Sequence, residues 1–388
     1  MFLECLQQLD SIIRLVLYLW RHQRQSMKYL LIGILCLGLA SCNSTSNQKN
    51  AKNELAKVKK NRGEYNLAYR NKKNPELKST DLSPRIHPII DVHEHLQTEQ
   101  DAKRLLKAMK ELNITRCCLM ASSHYTFTLN DKYGFERFKE NNELLIQLRN
   151  RYPDRFSAFI TIDPEDKGNL SLVQEYVKRG ADGIKLYLGH GAGTGKGPFH
   201  SMPLDDPRML PIYKWAEQIQ LPLLFHVNLI KYYDEFIRVM DAYPLLKVCI
   251  PHFGLHKNTE KRLTRLASIF ARYPNVYTDI SFGHEDFHIE GFETLSKWRT
   301  RSKKFIDKHA DRIMFGTDMV LEKTKTKEYI DNTLRSYMQW IENNEFCFFY
   351  KPDYPMWGLH LSEESLRKIY WHTPRKFLAI DYVRDINK

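Results

Sequence analysis

The chain has 388 residues, 43% of them apolar and 27% charged. That is ample for one domain of roughly 250 residues or more with a full core. It excludes a disulfide mini-protein, a coiled coil and a disordered chain. The formal net charge is +13, but residues 43–86 alone hold eleven Lys/Arg against four Asp/Glu. The excess therefore sits mainly in a tail, and no nucleic-acid partner is expected from it.

The N-terminal segment reads as a targeting signal. Met27-Lys28 precedes the apolar run Tyr29–Leu39, and Leu39-Ala40-Ser41-Cys42 follows. A basic residue, a short apolar core and small residues before a cut site describe a signal peptide. The run is too short to span a bilayer comfortably. The four residues resemble a bacterial lipobox, with Cys42 as the lipidated first residue of the mature chain. Residues 1–42 are thus expected to be signal and 43–86 a basic flexible tether. The expected place is the bacterial cell envelope, on the periplasm-facing outer membrane, with the membrane reached through the lipid anchor.

From Ile89 onward, short β-rich runs alternate with longer amphipathic segments. The strand candidates are Ile89–His93, Ile114–Ala121, Phe156–Ile162, Gly183–Tyr187, Leu223–Val227, Lys247–Pro251, Val276–Ser281 and Arg312–Gly316. Helical patterns cover 101–112, 136–151, 168–179, 207–219, 231–243, 258–272, 290–309 and 325–343. Eight strands, each followed by a helix, predict an α/β fold, a (β/α)8 TIM barrel over residues 87–388. The chain then appends a C-terminal helical extension. It comprises an aromatic run, Phe346 to Tyr350, expected to pack on the barrel wall, and a helix capped by Ser362.

Polar residues gather at the predicted strand ends. In Asp91-Val92-His93-Glu94-His95, alternation puts Asp91, His93 and His95 on one face and turns Glu94 away. His226 ends the fifth strand, His252 the sixth, and Asp318 follows the eighth. In a barrel these ends meet at the C-terminal mouth, so their convergence points to a metal site.

Those residues in that order resemble the amidohydrolase superfamily. The local phrases Ile90-Asp91-Val92-His93, Gly183-Ile184-Lys185-Leu186, Pro222 to His226, Val276 to Asp279 and Leu366 to Tyr370 resemble its amidohydrolase-related branch of metal-dependent hydrolases and decarboxylases. His93, His95, His226 and Asp318 are then expected to hold a divalent ion, with zinc first and manganese or iron as alternatives. Asp318 is also the expected general base, the role the resemblance implies, and His252 a second catalytic group. Asp91 is expected to support the ligands from behind. Lys185 is either a carboxylated bridge between two ions, as in two-metal members of the superfamily, or a lysine whose head reaches the polar mouth and binds substrate or Asp279.

The expected activity is hydrolysis of a C–N or C–O bond in a small molecule. Decarboxylation of a small unsaturated or aromatic acid is the alternative, and a non-catalytic binding lipoprotein is the reading from another class. The glycine-rich run Gly189–Gly197 lacks the P-loop pattern and is expected to be a lid, with His190, Lys196 and His200 near an anionic substrate. Ser122, Ser123, His124 and His284 are expected at the substrate rim.

Overall fold

The computed structural model describes residues 88–128, 133–188, 202–255, 259–282, 285–348 and 355–380. The Cys42 lipobox, the tether 43–86, the glycine-rich run with His190, Lys196 and His200, and His284 lie outside the described residues.

The apolar runs pair side by side as parallel strands. They are β1 (Ile89–Leu96), β2 (Ile114–Met120), β3 (Phe156–Thr161), β4 (Gly183–Leu186), β5 (Leu223–Phe225), β6 (Val248–Cys249) and β7 (Val276–Asp279). The eighth strand position is split into β8 (Ile313–Met314) and β9 (Met319–Leu321). β8 pairs with β7, and β9 pairs with β1. The residues between them continue the bonding, with Val92 N donating to Phe315 O at 3.0 Å and Asp318 N to His93 O at 2.7 Å. The sheet therefore closes on itself, and the expected barrel is the observed one.

Helices cover the outside. They are α1 (Glu99–Glu111), α2 (His124–Thr128), α3 (Phe138–Arg151), α4 (Asn169–Lys178), α5 (Leu210–Gln218), α6 (Tyr233–Ala242), α7 (Glu260–Arg272), α8 (Glu285–Lys297), α9 (Arg299–Lys308) and α10 (Lys327–Glu342). Thr98, Thr259 and Thr326 start three of them by accepting the backbone N–H three residues on, which satisfies an otherwise unpaired donor.

The predicted helix 290–309 is instead two helices. Trp298 leaves the helical region, with ψ at 34°, and separates α8 from α9. α8 also starts earlier than predicted and runs through Gly291. A Cβ at that glycine would meet the Phe282 ring at 2.4 Å, so glycine lets the helix lie close to the barrel.

Two apolar layers result. Ile90, Val92, Cys118, Phe159, Leu224 and Tyr277 are among the residues that fill the barrel, while residues such as Ile89, Cys117, Leu119 and Ile184 face the helices. The C-terminal extension contributes α11 (Glu363–Arg367), a π-turn (Lys368–His372) and α12 (Thr373–Leu378). Ser362 caps α11 as predicted. Trp371 and Phe377 of this extension belong to the interior cluster, and Phe377 stacks on Phe159 (6.3 Å) and packs on Tyr277 (5.4 Å). Phe346 and Phe348 are fully buried against Phe292, so this part of the aromatic run does pack on the wall. A short hairpin of β10 (Glu345–Cys347) and β11 (Pro355–Trp357) carries it.

Cys117, Cys118 and Cys249 are buried free thiols, and Cys347 is half-buried. Among the described residues no helix is long and apolar enough to cross a membrane.

Candidate metal centre

The alternation expected along β1 does not hold. Asp91 pairs with Cys117 and Glu94 with Leu119, so three steps on β1 match two on β2. This bulge turns Asp91 and Glu94 to the same side, toward the helices, and leaves Val92 and His93 both facing inward. Thr317 Oγ1 joins the two carboxyl groups, reaching Asp91 Oδ2 at 3.2 Å and also Glu94 Oε1. Burial pushes the Asp91 carboxyl up to about 7, and burial with the neighbouring Asp91 pushes Glu94 well above its usual range. Asp91 thus meets His93 through the backbone, accepting its N–H at 3.0 Å, and touches no imidazole.

Past the bulge, His93 and His95 do share the inward face. The His93 Nδ1 lies 2.8 Å from Asp279 Oδ2. A carboxylate only accepts, so Nδ1 carries the proton and Nε2 the lone pair. His95 Nδ1 lies 3.0 Å from the Met120 carbonyl and 2.6 Å from Ser122 Oγ, which fixes the same tautomer. Burial pushes the His95 imidazolium down to about 4, with Asp318 opposing, so its ring is neutral at pH 7.

His252 is presented by a turn of unusual backbone. His252, Phe253, Gly254 and Leu255 all have φ between 56° and 61°. Three of them are not glycine, and each such residue costs about 1–2 kcal/mol in the left-handed region. β7 supports the turn. Asp279 Oδ1 accepts the His252 N–H at 2.9 Å, and Thr278 Oγ1 accepts the Phe253 N–H at 3.0 Å. Ser281 Oγ donates to Asp279 Oδ1 at 2.5 Å and lies 2.8 Å from His252 Nδ1. Its remaining role is acceptor, so His252 also keeps its lone pair on Nε2.

All three Nε2 atoms face one carboxylate. Asp318 Oδ1 lies 3.1 Å from His93 Nε2 and 3.0 Å from His95 Nε2, and Oδ2 lies 3.4 Å from His252 Nε2. Burial opposes the charge on Asp318, and with lone pairs on all three Nε2 atoms the neutral rings do not offset it, whereas a cation among them would. Asp318 itself sits at φ 55°, just after Gly316. A Cβ on Gly316 would come within 3.2 Å of Cβ atoms of both Asp279 and His93, so glycine keeps the turn open beneath the site.

Lys185 enters the same space. It is fully buried, with Nζ 2.8 Å from His93 Nε2 and 5.1 Å from the Tyr187 ring centroid. Burial pushes its ammonium down to about 8, against the pull of Asp318 and Asp279. His226, half-buried, is placed beside His252 with ring centroids 4.9 Å apart. Ser122 is buried beneath His95 rather than on the rim, while His124 opens α2 and meets the Tyr133 ring edge-on.

The donor chemistry fits a cation. Each of three imidazole Nε2 lone pairs lies within 3.4 Å of an Asp318 carboxylate oxygen, an arrangement that repels itself unless positive charge lies among them. Ligand atoms of His93, His252 and Asp318 lie within 4.8 Å of one another. Asp279 and Ser281 orient two of the rings, a role that the sequence reading does not give them. Asp279 was legible by the same rule as the others, since it ends β7 on the inward side.

The amidohydrolase family model matches residues 90–380. The chain belongs to the amidohydrolase family. It is an enzyme of that superfamily, whose members are typically metal-dependent. Two solved structures show the same fold at low identity. One is an uncharacterized TIM-barrel protein from Bordetella bronchiseptica, 17% identical, covering 76% of this chain and 99% of its own, with a TM-score of 0.50. The other is a probable 2-pyrone-4,6-dicarboxylic acid hydrolase from Acinetobacter baumannii, solved with citric acid bound. It is 13% identical and covers 76% of this chain and all of its own, with a TM-score of 0.52. No curated protein sequence matches this amidohydrolase.

Proposed function

We propose that this amidohydrolase cleaves a C–N or C–O bond of a small molecule by metal-dependent hydrolysis. The observation that carries the reading is the convergence of the His93, His95 and His252 Nε2 atoms on Asp318. His93, His95 and Asp318 would hold the divalent ion, with His226 and His252 as further donors. Neutral imidazoles with a carboxylate and no thiolate favour zinc. Such an ion, when bound, acidifies water and polarises a substrate oxygen.

The chain's own groups do the rest. Asp318, ionised once a cation lies among these donors, accepts the proton of the attacking water at a carboxylate oxygen. His252, its Nδ1–H fixed on Ser281, presents Nε2 toward the reacting group. Lys185 supplies a buried positive charge beside His93, which can hold a carboxylate of the substrate.

That last feature favours the second reading, decarboxylation of a small unsaturated or aromatic acid. Elemental analysis of the full chain, joined to a screen of small amides, lactones and unsaturated acids, separates the two. Hydrolysis with stoichiometric metal is expected. Carbon dioxide release without hydrolysis selects the alternative, and a metal-free active protein overturns both. A lipid anchor at Cys42 on the bacterial envelope remains part of the proposal, and mass spectrometry of the mature N-terminus tests it.

A further inference from the structure

Away from the barrel mouth, a groove of about 800 Å³ runs along the outer wall between α7 and α9. Its two walls are built differently. α7 contributes Leu263, Thr264 and Ala267, small or apolar residues at helical spacing that leave the groove open, and at its start the exposed Glu260, whose carboxylate lies 3.8 Å from Arg301. α9 contributes Arg301, Lys304 and Lys308 at the same spacing, with Phe305 between them as floor. Helix geometry sets these three charges about 4.5 and 6 Å apart along the axis.

The charge is concentrated there. Residues 260–272 and 297–308 hold ten Lys/Arg against two Asp/Glu. All of 87–388 holds 44 Lys/Arg and 40 Asp/Glu, so the remainder of the barrel is net negative. A uniform solubilising surface does not produce that asymmetry. Lys304 and Lys308 are exposed and, among the described residues, make no ion pair.

Two indoles border the groove, Trp298 at the α8–α9 break, 44% exposed, and Trp357 of β11. Cations already stand over them. Arg301 lies 4.7 Å and Lys297 5.4 Å from the Trp298 ring centroid, and Arg299 lies 5.5 Å from that of Trp357. The aromatic rings thus hold guanidinium groups in place rather than offering open faces on which bases could stack.

We propose that the α7–α9 groove is a binding site for a linear acidic polysaccharide. Its carboxylates would meet the row of α9 cations, which repeats on the scale of one sugar unit. Phe305 on the groove floor would meet the apolar face of a sugar, with the indoles bordering the chain. The concave shape suits a chain lying in the groove, and the pre-set guanidiniums suit carboxylate recognition.

The test uses the full chain with short oligogalacturonides, read by calorimetry and by tryptophan fluorescence. Saturable binding is expected, weakening as salt rises and lost when the probe is methyl-esterified to neutrality. The variant Lys304→Gln/Lys308→Gln should bind roughly tenfold more weakly, and Lys304→Arg/Lys308→Arg should bind as wild type. Both pairs of substitutions lie on exposed positions, and circular dichroism checks that the barrel is intact. Absent binding, equal binding by the Gln variant, or tighter binding of single-stranded oligonucleotides than of the oligogalacturonide overturns the proposal.

Discussion

Asp279 holds His93 and His252 at once. Its Oδ2 takes the His93 ring at 2.8 Å, and its Oδ1 takes the His252 backbone N–H at 2.9 Å and the Ser281 hydroxyl that faces the His252 ring. One buried side chain therefore sets the orientation of donors arriving from two different strands. Burial opposes the charge on its carboxyl, but the bonds it accepts from the His93 ring and Ser281 outweigh this and hold it down at about 2.

Asp279→Asn keeps the shape but replaces one accepting oxygen with a donor, and neither His93 Nδ1–H nor the His252 N–H can pair with an NH₂. Metal affinity should fall by roughly 10–100-fold, the usual worth of a group that orients a ligand from behind. Competition with a chromogenic chelator measures it. Affinity equal to that of the wild type would show that the rings are oriented without Asp279.

How far the sequence carries is visible from these same residues. The strands and the histidines at their ends were legible because burial on two sides enforces apolar runs, and a polar residue at such a run's end stands out. The bulge in β1 was not legible, since it arises from pairing with β2 and not from local pattern. It reversed the expected side of Glu94 relative to Asp91. The left-handed turn at His252 was hidden for a related reason. Its cost is offset by acceptors on β7, more than twenty residues away.

The C-terminal extension should matter to the whole barrel. Phe377 is fully buried among the interior residues although it follows the last barrel strand, β9, by more than fifty positions. Phe377→Ala leaves a cavity under Phe159 and Tyr277 and should cost about 3–5 kcal/mol. Urea unfolding of the purified chain reads this as a lower midpoint with an unchanged slope. An unchanged midpoint would mean that the extension docks without contributing to the cooperative core.

Acid should loosen the segment that leads into α5. The Arg208 side chain pulls the Asp206 carboxyl down to about 2, and Arg238 lowers Asp205. A depressed carboxyl stabilises the fold above its unfolded value, near 4, and that contribution is lost as pH falls through the folded value. The arginines are exposed and the two carboxylates half-buried at the surface, so the effect should be small and should fade in high salt. Urea midpoints measured from pH 5 downward should show a shallower acid slope in Asp206→Asn than in the wild type at low salt. Parallel slopes for the two proteins would remove this pair from the acid response.

The decisive variant is Asp318→Asn. Asp318 stands in a positive-φ turn immediately before β9, and β9 and β1 are paired through Glu94 and Met319. Its carboxylate is therefore fixed by the closure of the barrel itself, between His93 and His95 on one oxygen and His252 on the other. The amide keeps the size and one oxygen but cannot take up a proton at neutral pH. If Asp318 is the base, turnover should drop by roughly 10²–10⁴-fold. Because Asp318 would also help to hold the ion, metal content must be measured on the same preparation. The comparison is made on metal-saturated protein, so that loss of the ion and loss of the base are told apart. A saturated Asp318→Asn enzyme that turns over its substrate at the wild-type rate would leave Asp318 as a ligand alone and would move the proton-accepting role to another group, with His252 the nearest in place.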